Sequence, residues 1–430
     1  MWQLATKEDL LLEIIIHGRM NNINLNSIIG ILKDNPIFRM SLGSKELFHS
    51  NFLEYLFTLD QDLFIDMMNG FLPTGNKLTQ GITYFLGREL KNFDICIYHK
   101  EKGNKGKDRT VYDLILENKV KSIPYKEQLK EYVDKVNNLQ GPNKCRFILL
   151  TLSKNFPDHN NPDIACWITL GYADLYNGIQ TFFINQGNLN KKTRYYLSDY
   201  LNFIHEMERL GQLLTPNTGQ LLFVSNDIQS LEKIRLHDLY IKLRSSWFAM
   251  NLKNMLDKDG IPTKVVHNFK QCEYGFVNIN VDMNQGNGQI AAWICDGPQK
   301  DKNGNMAANL FEVVIQGNQF RHGINQQSIG TPGTDKDRLN DLFTRLATIS
   351  DKRPLSFLSF CNLQGVRPDK PDKHRNDAPL HRQKSGPFDC YGDDYLYRYT
   401  LIGNNETIGT LLSRMVSDIK KIWGAIPNLY

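Results

Sequence analysis

A carboxylate and an ammonium group lie two residues apart in the stretch VYDLILENKV (residues 111–120), at Glu117 and Lys119. The nearly continuous apolar character of this stretch predicts a β-strand. Because side chains alternate between the two faces of a strand, one face is predicted to carry Asp113, Ile115, Glu117 and Lys119, and the opposite, core-facing set is Tyr112, Leu114, Leu116 and Val120. Burying such charges without partners is costly. The strand is therefore predicted either to end at solvent or to serve a metal site.

The elements around this strand predict an α/β domain. Helices are expected at residues 6–17, 26–33, 44–59, 60–71, 124–139, 173–183 and 192–210. Strands are expected at residues 78–86, 93–99, 111–120, 145–152 and 165–170. The order helix, three strands, helix, strand predicts a mixed sheet with helices on its faces.

The rest of the chain predicts a second, α+β domain with an antiparallel sheet. Its expected helices cover residues 227–256, 335–349 and 407–423. Its expected strands cover residues 263–267, 275–281, 289–295, 310–316, 355–361 and 395–402. Residues 363–390 form a long polar loop in this prediction. The Pro- and Gly-containing stretch 211–219 separates a domain at 1–212 from one at 220–430.

Composition excludes several classes of protein. The 430 residues carry a net charge of +5, which permits a nucleic-acid partner without requiring one. The seven cysteines are scattered and form no CxxC pair, so a disulfide framework and a structural zinc site are disfavoured and a cytoplasmic location is expected. No apolar run reaches the ~18 residues of a membrane span. We therefore expect no membrane association.

Four segments resemble one known family. ELFHSNFLEYLF (residues 46–57), NFDICI (92–97), LILENKV (114–120) and KEQLKEY (126–132) follow one another in the order of the PD-(D/E)xK nuclease superfamily. The later WITLGYADL (167–175) is similar to a segment found after the core in a prokaryotic branch of that superfamily. The resemblance covers roughly the first 210 residues, and it implies a restriction-endonuclease-like αβββαβ core.

The resemblance also implies roles for individual residues. Asp94 and Glu117 are expected to bind a divalent metal, Mg²⁺ or Mn²⁺, beside the backbone carbonyl of Asn118. Lys119 is expected to position or activate the attacking water. The remaining assignments are an additional helix acid, Glu46, and the supporting residues Gln128, Tyr132 and His49.

Strand geometry favours Asp94 over Asp113 as the partner of Glu117. Four residues along one strand separate α-carbons by about 13 Å, too far for one ion held at about 2.1 Å. Opposed side chains on neighbouring strands come within about 5 Å. We therefore favour Asp94.

Each of these residues also has a plain structural interpretation. An E-x-K pattern occurs on many exposed strands, and Glu46 is of a type common on solvated helix surfaces. A histidine such as His49 is more often packed in a core or used in capping than used as a ligand, and Gln128 with Tyr132 could be a helix-surface pair. The ordered combination of all the motifs favours the nuclease interpretation over these alternatives.

The hairpin beside the predicted site is rich in cations: Lys100, Lys102, Lys105, Lys107 and Arg109. They are either a solvated tip or a surface that contacts the phosphate backbone of a nucleic acid. His374, Asp377 and His381 match a metal site by composition alone, and a plain loop is favoured there.

Two classes of function remain after these considerations. The favoured one is a metal-dependent DNA endonuclease of a prokaryotic defence or restriction-type system, with RNA as the alternative substrate. The other is a non-catalytic module that binds nucleic acid or a partner. A homo-oligomer or an activating partner fits either class.

Overall fold

The computed structural model describes residues 24–41, 45–102, 108–120, 126–142, 144–152, 164–284, 286–295, 297, 310–325, 389–391 and 395–425. The predicted helices 6–17 and 335–349, the predicted strand 355–361 and nearly all of the predicted loop 363–390 lie outside these residues. The chain divides into two compact units, Met1–Thr215 with Ser225–Leu243, and Pro216–Val224 with Arg244–Tyr430. The predicted domains 1–212 and 220–430 remain a prediction.

The first unit contains most of the helices. Within the described residues these are α1 (Leu25–Asp34), α2 (Pro36–Ser41), α3 (Lys45–Leu59), α4 (Gln61–Phe71), α5 (Lys126–Gln140), α6 (Tyr172–Ile179, continued as a π-turn over Gln180–Ile184), α7 (Lys191–Leu214) and α8 (Ser225–Glu232). Helix α9 (His237–Lys258) contains the point at which the two units are divided. No helix of the described part is both long and apolar enough to cross a membrane.

A five-stranded mixed sheet forms the centre of the first unit. Its strands are β1 (Phe85–Arg88), β2 (Ile95–Lys102), β3 (Asp108–Lys119), β4 (Arg146–Thr151) and β5 (Trp167–Leu170), in the spatial order β1-β2-β3-β4-β5. The β1–β2 and β2–β3 pairs are antiparallel, whereas β3–β4 and β4–β5 are parallel. The predicted mixed sheet with flanking helices is confirmed.

Strand β3 is buried on both faces, whereas the prediction assigned only the face of Tyr112, Leu114, Leu116 and Val120 to the core. Every residue from 111 to 118 is buried, including Asp113 at 7% exposure and Glu117 at 1%. Helix α5 covers one face, where Leu129, Tyr132 and Val136 join the core cluster. A strand enclosed in this way must give each of its acids a partner.

A β-bulge in β3 also changes the predicted facing of Asp113. Ile97 of β2 pairs with Leu114 of β3, but the next residue, Tyr98, pairs with Tyr112. Asp113 is therefore an extra residue in β3 that has no opposite position on β2. Tyr112 and Ile115, three positions apart, consequently both join the cluster under α5. Asp113 instead lies on the opposite face, within reach of His99. The predicted shared face of Asp113 and Glu117 is therefore wrong.

Two further corrections follow from side chains that hydrogen bond to the backbone. The predicted strand 78–86 is reduced to β1, because the amide of Asn69 bonds both the N–H of Leu78, at 2.6 Å, and its carbonyl, at 3.1 Å. These backbone groups are then unavailable to a sheet. After α1, where no helix was predicted, Asn35 accepts a bond from the N–H of Phe38 at 2.9 Å and caps α2.

The second unit contains a seven-stranded sheet in the order β11-β12-β10-β9-β8-β7-β6. Its strands are β6 (Thr263–Val265), β7 (Val277–Asn284), β8 (Asn287–Cys295), β9 (Leu310–Gln316), β10 (Gln319–Asn325), β11 (Asp389–Tyr391) and β12 (Tyr395–Leu401), and its closing helix is α10 (Ile408–Ala425). The pairs are antiparallel except β6–β7, which is parallel. Strand β10 was not predicted.

The long helix predicted over residues 227–256 is interrupted. Arg235 adopts a left-handed conformation with φ 54°, and the N–H of Leu236 bonds back to the carbonyl of Leu231 at 2.9 Å. Leu231, Ile234 and Leu236 are all buried. Their burial holds a turn between α8 and α9, although the sequence contains no glycine or proline there.

Candidate active site

Asp94 and Glu117 face each other across the β2–β3 pair. The last register pair at this end joins Ile95 and Leu116, so that the residues before and after them lie opposite one another. Asp94 Oδ2 accepts a hydrogen bond from the N–H of Asn118 at 2.9 Å. The acid at the start of one strand is thereby fixed to the backbone at the end of the other.

Glu117 is buried and is contacted by two donors. Its Oε1 lies 2.7 Å from Nζ of Lys119 and 3.1 Å from Nε2 of Gln128. The carboxylate is 1% exposed and the lysine side chain 12%. An ammonium and an amide that both donate to a buried carboxylate stabilise its charged form.

Tyr132 completes the contacts that α5 makes with the site. Its hydroxyl lies 2.9 Å from Nε2 of Gln128, one helical turn away. Burial raises the pKa of Tyr132, and the charge of Glu117 raises it further, whereas the Gln128 contact and Lys119 oppose the shift. The hydroxyl therefore remains protonated at neutral pH.

Asn118 points to the other face of the sheet, where Tyr172 holds it. The Tyr172 hydroxyl donates to Oδ1 of Asn118 at 2.7 Å, and both residues are completely buried. Tyr172 starts helix α6 immediately after β5, and its N–H bonds to Oε2 of Glu208 at 3.2 Å. The sequence prediction gave Tyr172 no role, although it lies at the edge of the sheet where the parallel strands β3, β4 and β5 all end.

His49 contacts aromatic residues of helices α6 and α7. It is fully buried on α3, with Nδ1 2.8 Å from the Tyr200 hydroxyl, and its ring packs 4.9 Å from that of Tyr172. Glu46 lies in the first turn of the same helix, and its side chain is outside the described part of the structure.

The cations of the predicted phosphate-binding hairpin are exposed where the structure describes them, but their predicted position beside the site is wrong, because the register places them at the end of the β2–β3 pair away from Asp94 and Glu117. Lys100 and Lys102 lie on β2 and Arg109 on β3. Arg109 Nη2 bonds to the carbonyl of Leu139 at 3.0 Å, and Lys100 Nζ lies 5.4 Å from the ring centroid of Phe85. Lys105 and Lys107 are outside the described residues, as are His374, Asp377 and His381.

A second charged cluster lies on the sheet face away from α5. His99 Nδ1 is 2.6 Å from Oδ2 of Asp113, and its Nε2 is 3.3 Å from Oε1 of Glu101. Burial works to lower the pKa of His99, but the two acids outweigh it and raise the pKa overall. Burial raises the pKa of Asp113 in spite of His99. Asp113 thus pairs with His99, whereas Glu117 pairs with Lys119.

The residues at the strand end fit a hard divalent ion. Asp94 and Glu117 offer carboxylate oxygens, the donor type that Mg²⁺ and Mn²⁺ prefer. Within the described residues no group of three or more His, Cys, Asp or Glu side chains is placed to hold an ion. Mg²⁺ is commonly held by one or two carboxylates, with water and substrate phosphate completing its shell. The acid pair is sufficient for such an ion.

The fold of the first unit indicates a class of protein. A mixed five-stranded sheet with flanking helices is consistent with a restriction-endonuclease-like fold. Residues 83–208 match the model of a family of the PD-(D/E)XK nuclease superfamily. This match suggests a nuclease. No curated protein and no solved structure matches the chain.

Proposed function

We propose that the protein is a metal-dependent nuclease that hydrolyses phosphodiester bonds, and specifically a DNA endonuclease. The observation that supports this most directly is the grouping of Glu117 with Lys119 and Gln128, opposite Asp94, inside the matched segment. Phosphodiester hydrolysis requires charge neutralisation at phosphate and a nucleophile made from water. This group of side chains has the chemistry for both.

Each residue has a distinct task in this mechanism. Asp94 and Glu117, with the carbonyl oxygen of Asn118, would hold a divalent ion, which supplies charge neutralisation at the phosphate and a more acidic water when bound. The Lys119 ammonium, fixed at 2.7 Å from Glu117, orients the attacking water and offsets the negative charge that develops on the phosphate. Because Lys119 is only 12% exposed, its charge is poorly screened by solvent.

Gln128 and Tyr132 act on the geometry of the acid. Gln128 donates to Glu117 and also contacts the Tyr132 hydroxyl, which restricts the rotamers open to all three side chains. Preorganised groups of this kind avoid reorganisation during the reaction. Helix α5 is therefore the support of the acid on β3.

The exposed cations Lys100, Lys102 and Arg109 offer a surface for a nucleic-acid substrate, at the end of the β2–β3 pair away from Asp94 and Glu117. Contacts from such residues to phosphates position a duplex without reading its sequence. DNA as the substrate, Mg²⁺ as the ion and a role in prokaryotic defence are the finer parts of the proposal. They derive from the resemblance of residues 46–132 to a prokaryotic branch of the superfamily.

The decisive experiment is a cleavage assay with Mg²⁺ on supercoiled plasmid, linear duplex DNA, single-stranded DNA and RNA, repeated with EDTA. Lys119→Ala is compared with Lys130→Ala, which removes an exposed lysine of α5 whose ion pair is with Asp134. We expect cleavage of plasmid DNA to fall about 100- to 1,000-fold in the first variant and to persist in the second.

The possible results separate the alternatives. Cleavage of RNA alone makes the protein an RNA nuclease with the same site. Equal cleavage by Lys119→Ala and the unmodified protein removes the site assignment. Absence of cleavage on every substrate contradicts the enzymatic proposal and favours a binding module, which binding of the same substrates then tests.

A further inference from the structure

The turn between β1 and β2, immediately before Asp94, contains residues with positive φ, a backbone conformation that is unfavourable for residues other than glycine. Glu89, Lys91 and Asn92 have φ values of 51°, 60° and 66°. Glycine adopts these angles readily, but other residues adopt them at a cost in free energy. Such conformations persist only where the surroundings hold them, and they concentrate at functional sites.

The turn determines how Asp94 enters β2. It begins directly after Arg88, which pairs with Ile95 at the ends of the two strands. The N–H of Glu89 bonds to the carbonyl of Asp94 at 3.4 Å, and the N–H of Phe93 bonds to the carbonyl of Leu90 at 3.2 Å. Relaxation of the turn would therefore displace the backbone of Asp94.

Lys135 of helix α5 holds this turn from outside. Its Nζ donates a hydrogen bond to the carbonyl of Lys91 at 2.5 Å and lies 5.3 Å from the ring centroid of Phe93. Phe93 is fully buried and packs edge-on against Tyr132 at 5.2 Å. The ammonium group of Lys135 thus contacts both Lys91, which has the left-handed conformation, and Phe93, whose buried ring anchors the turn.

We propose that Lys135 is a positioning residue that sets Asp94, in the way that Gln128 sets Glu117. Gln128 and Lys135 are seven residues apart, about two helical turns, so they project from the same side of α5. A single helix would then support both acids: Glu117 directly and Asp94 through the turn. The inference rests on the proposed function, because it assigns Asp94 to the metal.

Metal affinity is the first test. We compare Lys135→Met, which keeps an unbranched side chain but loses the ammonium, with Lys130→Met on the same helix. Titration with Mn²⁺ by calorimetry should give a dissociation constant about tenfold higher in Lys135→Met and unchanged in Lys130→Met. A dissociation constant for Lys135→Met equal to that of the unmodified protein would overturn the proposal. Lys135→Gln serves in the same test if the methionine variant does not fold.

Hydrogen exchange gives a second readout that needs no metal. The N–H of Asn118 bonds to Asp94 Oδ2, so displacement of Asp94 should speed exchange of that amide in Lys135→Met and not in Lys130→Met. Unchanged exchange contradicts the proposal. If the unmodified protein neither binds Mn²⁺ nor cleaves nucleic acid, the proposed function has failed, and the exchange of Asn118 alone decides the role of Lys135.

A rescue variant separates the strain of the turn from simple loss of charge. Glycine at position 91 adopts φ 60° without the penalty, so Lys91→Gly should restore Mn²⁺ affinity in the Lys135→Met background toward that of the unmodified protein. Alone it should leave that affinity unchanged. Failure of Lys91→Gly to restore the affinity would exclude the left-handed turn as the route from Lys135 to Asp94.

Discussion

Gln128 donates a hydrogen bond across 3.1 Å to Oε1 of Glu117, which joins helix α5 to the acid on β3. We expect Gln128→Leu to reduce kcat for nucleic-acid cleavage by about 10- to 100-fold, because the acid loses a donor that orients it. Asn138→Ala, at an exposed position on the same helix, is the control. Steady-state kinetics and the melting temperature are measured together. A loss of activity in proportion to a loss of folded protein would contradict the positioning role.

The Tyr172–Asn118 bond provides a second prediction. Tyr172→Phe removes a buried donor to Asn118 Oδ1 and should reduce stability by about 1–3 kcal/mol. It should also lower cleavage, since Asn118 lies between Glu117 and Lys119. Tyr84→Phe is the matched control, because the Tyr84 hydroxyl bonds at 3.0 Å to the carbonyl of Thr79, away from these residues. Urea unfolding and cleavage rates are compared; equal loss of cleavage in both variants would exclude a specific effect.

Removal of the hairpin cations should weaken binding without changing sequence preference. For the triple alanine variant of Lys100, Lys102 and Arg109, the slope of log binding constant against log salt should fall by about 0.9 for each phosphate that the variant no longer neutralises. Binding of labelled duplex DNA at several salt concentrations measures this slope. The charge-matched control removes three cations from the exposed start of α7, namely Lys191, Lys192 and Arg194. If the slope decreases equally in the control variant, the effect comes from the loss of net charge and not from the position of the three hairpin cations.

Two helical glycines should respond in opposite ways to alanine. A Cβ at Gly178 on α6 would lie 2.6 Å from Cζ of Phe71 and 3.0 Å from Cγ of Met67, so Gly178→Ala should destabilise by about 1–3 kcal/mol. A Cβ at Gly30 on α1 meets nothing within 4 Å, and Gly30→Ala should stabilise by about 0.5–1 kcal/mol. The midpoints of urea unfolding test both predictions. Equal changes in stability for Gly178→Ala and Gly30→Ala would contradict the difference in packing between the two positions.

The second unit should lose stability in acid through His322. This residue is fully buried, with Nε2 3.0 Å from Oδ2 of Asp418. Burial lowers the pKa of His322, Asp418 opposes the shift, and Arg414 and Lys421 add to it. Below the ordinary histidine pKa of about 6.5, the unfolded chain therefore binds a proton that the folded chain does not. The contribution to stability is complete above that pH and is lost as the pH falls.

Hydrogen exchange of strand β10, followed between pH 5 and 7 and corrected for intrinsic exchange rates, measures this effect. A single histidine contributes a slope of up to about 1.4 kcal/mol per pH unit. His322→Gln should flatten the dependence whatever its effect on stability at pH 7. An identical slope in the variant would mean that other groups carry the acid sensitivity.

The parts of the site that were predictable depend on local sequence patterns. The strand around Glu117 and the spacing of Gln128 and Tyr132 follow from alternation and helical periodicity. The position of Asp113 did not follow, because alternation assumes a regular ladder and the bulge adds one residue. Which residues would share the catalytic ion was predicted from the resemblance and stays a prediction.

The turn before Asp94 and the interruption before α9 escaped prediction for a common reason. Both use non-glycine residues at positive φ, at Lys91 and at Arg235, where sequence rules look for glycine. In each case buried neighbours such as Phe93 or Leu236 maintain the conformation. Long-range contacts of this kind, including Lys135 on the Lys91 carbonyl, are determined by the tertiary fold.

The extra residue at Asp113 separates two electrostatic environments within a single strand. Glu117 interacts with Lys119 on one side of the sheet, while Asp113 interacts with His99 on the other. The backbone of β3 lies between them. Substitutions around His99 could therefore be used to tune the acid tolerance of the domain while the chemistry at Glu117 is left alone.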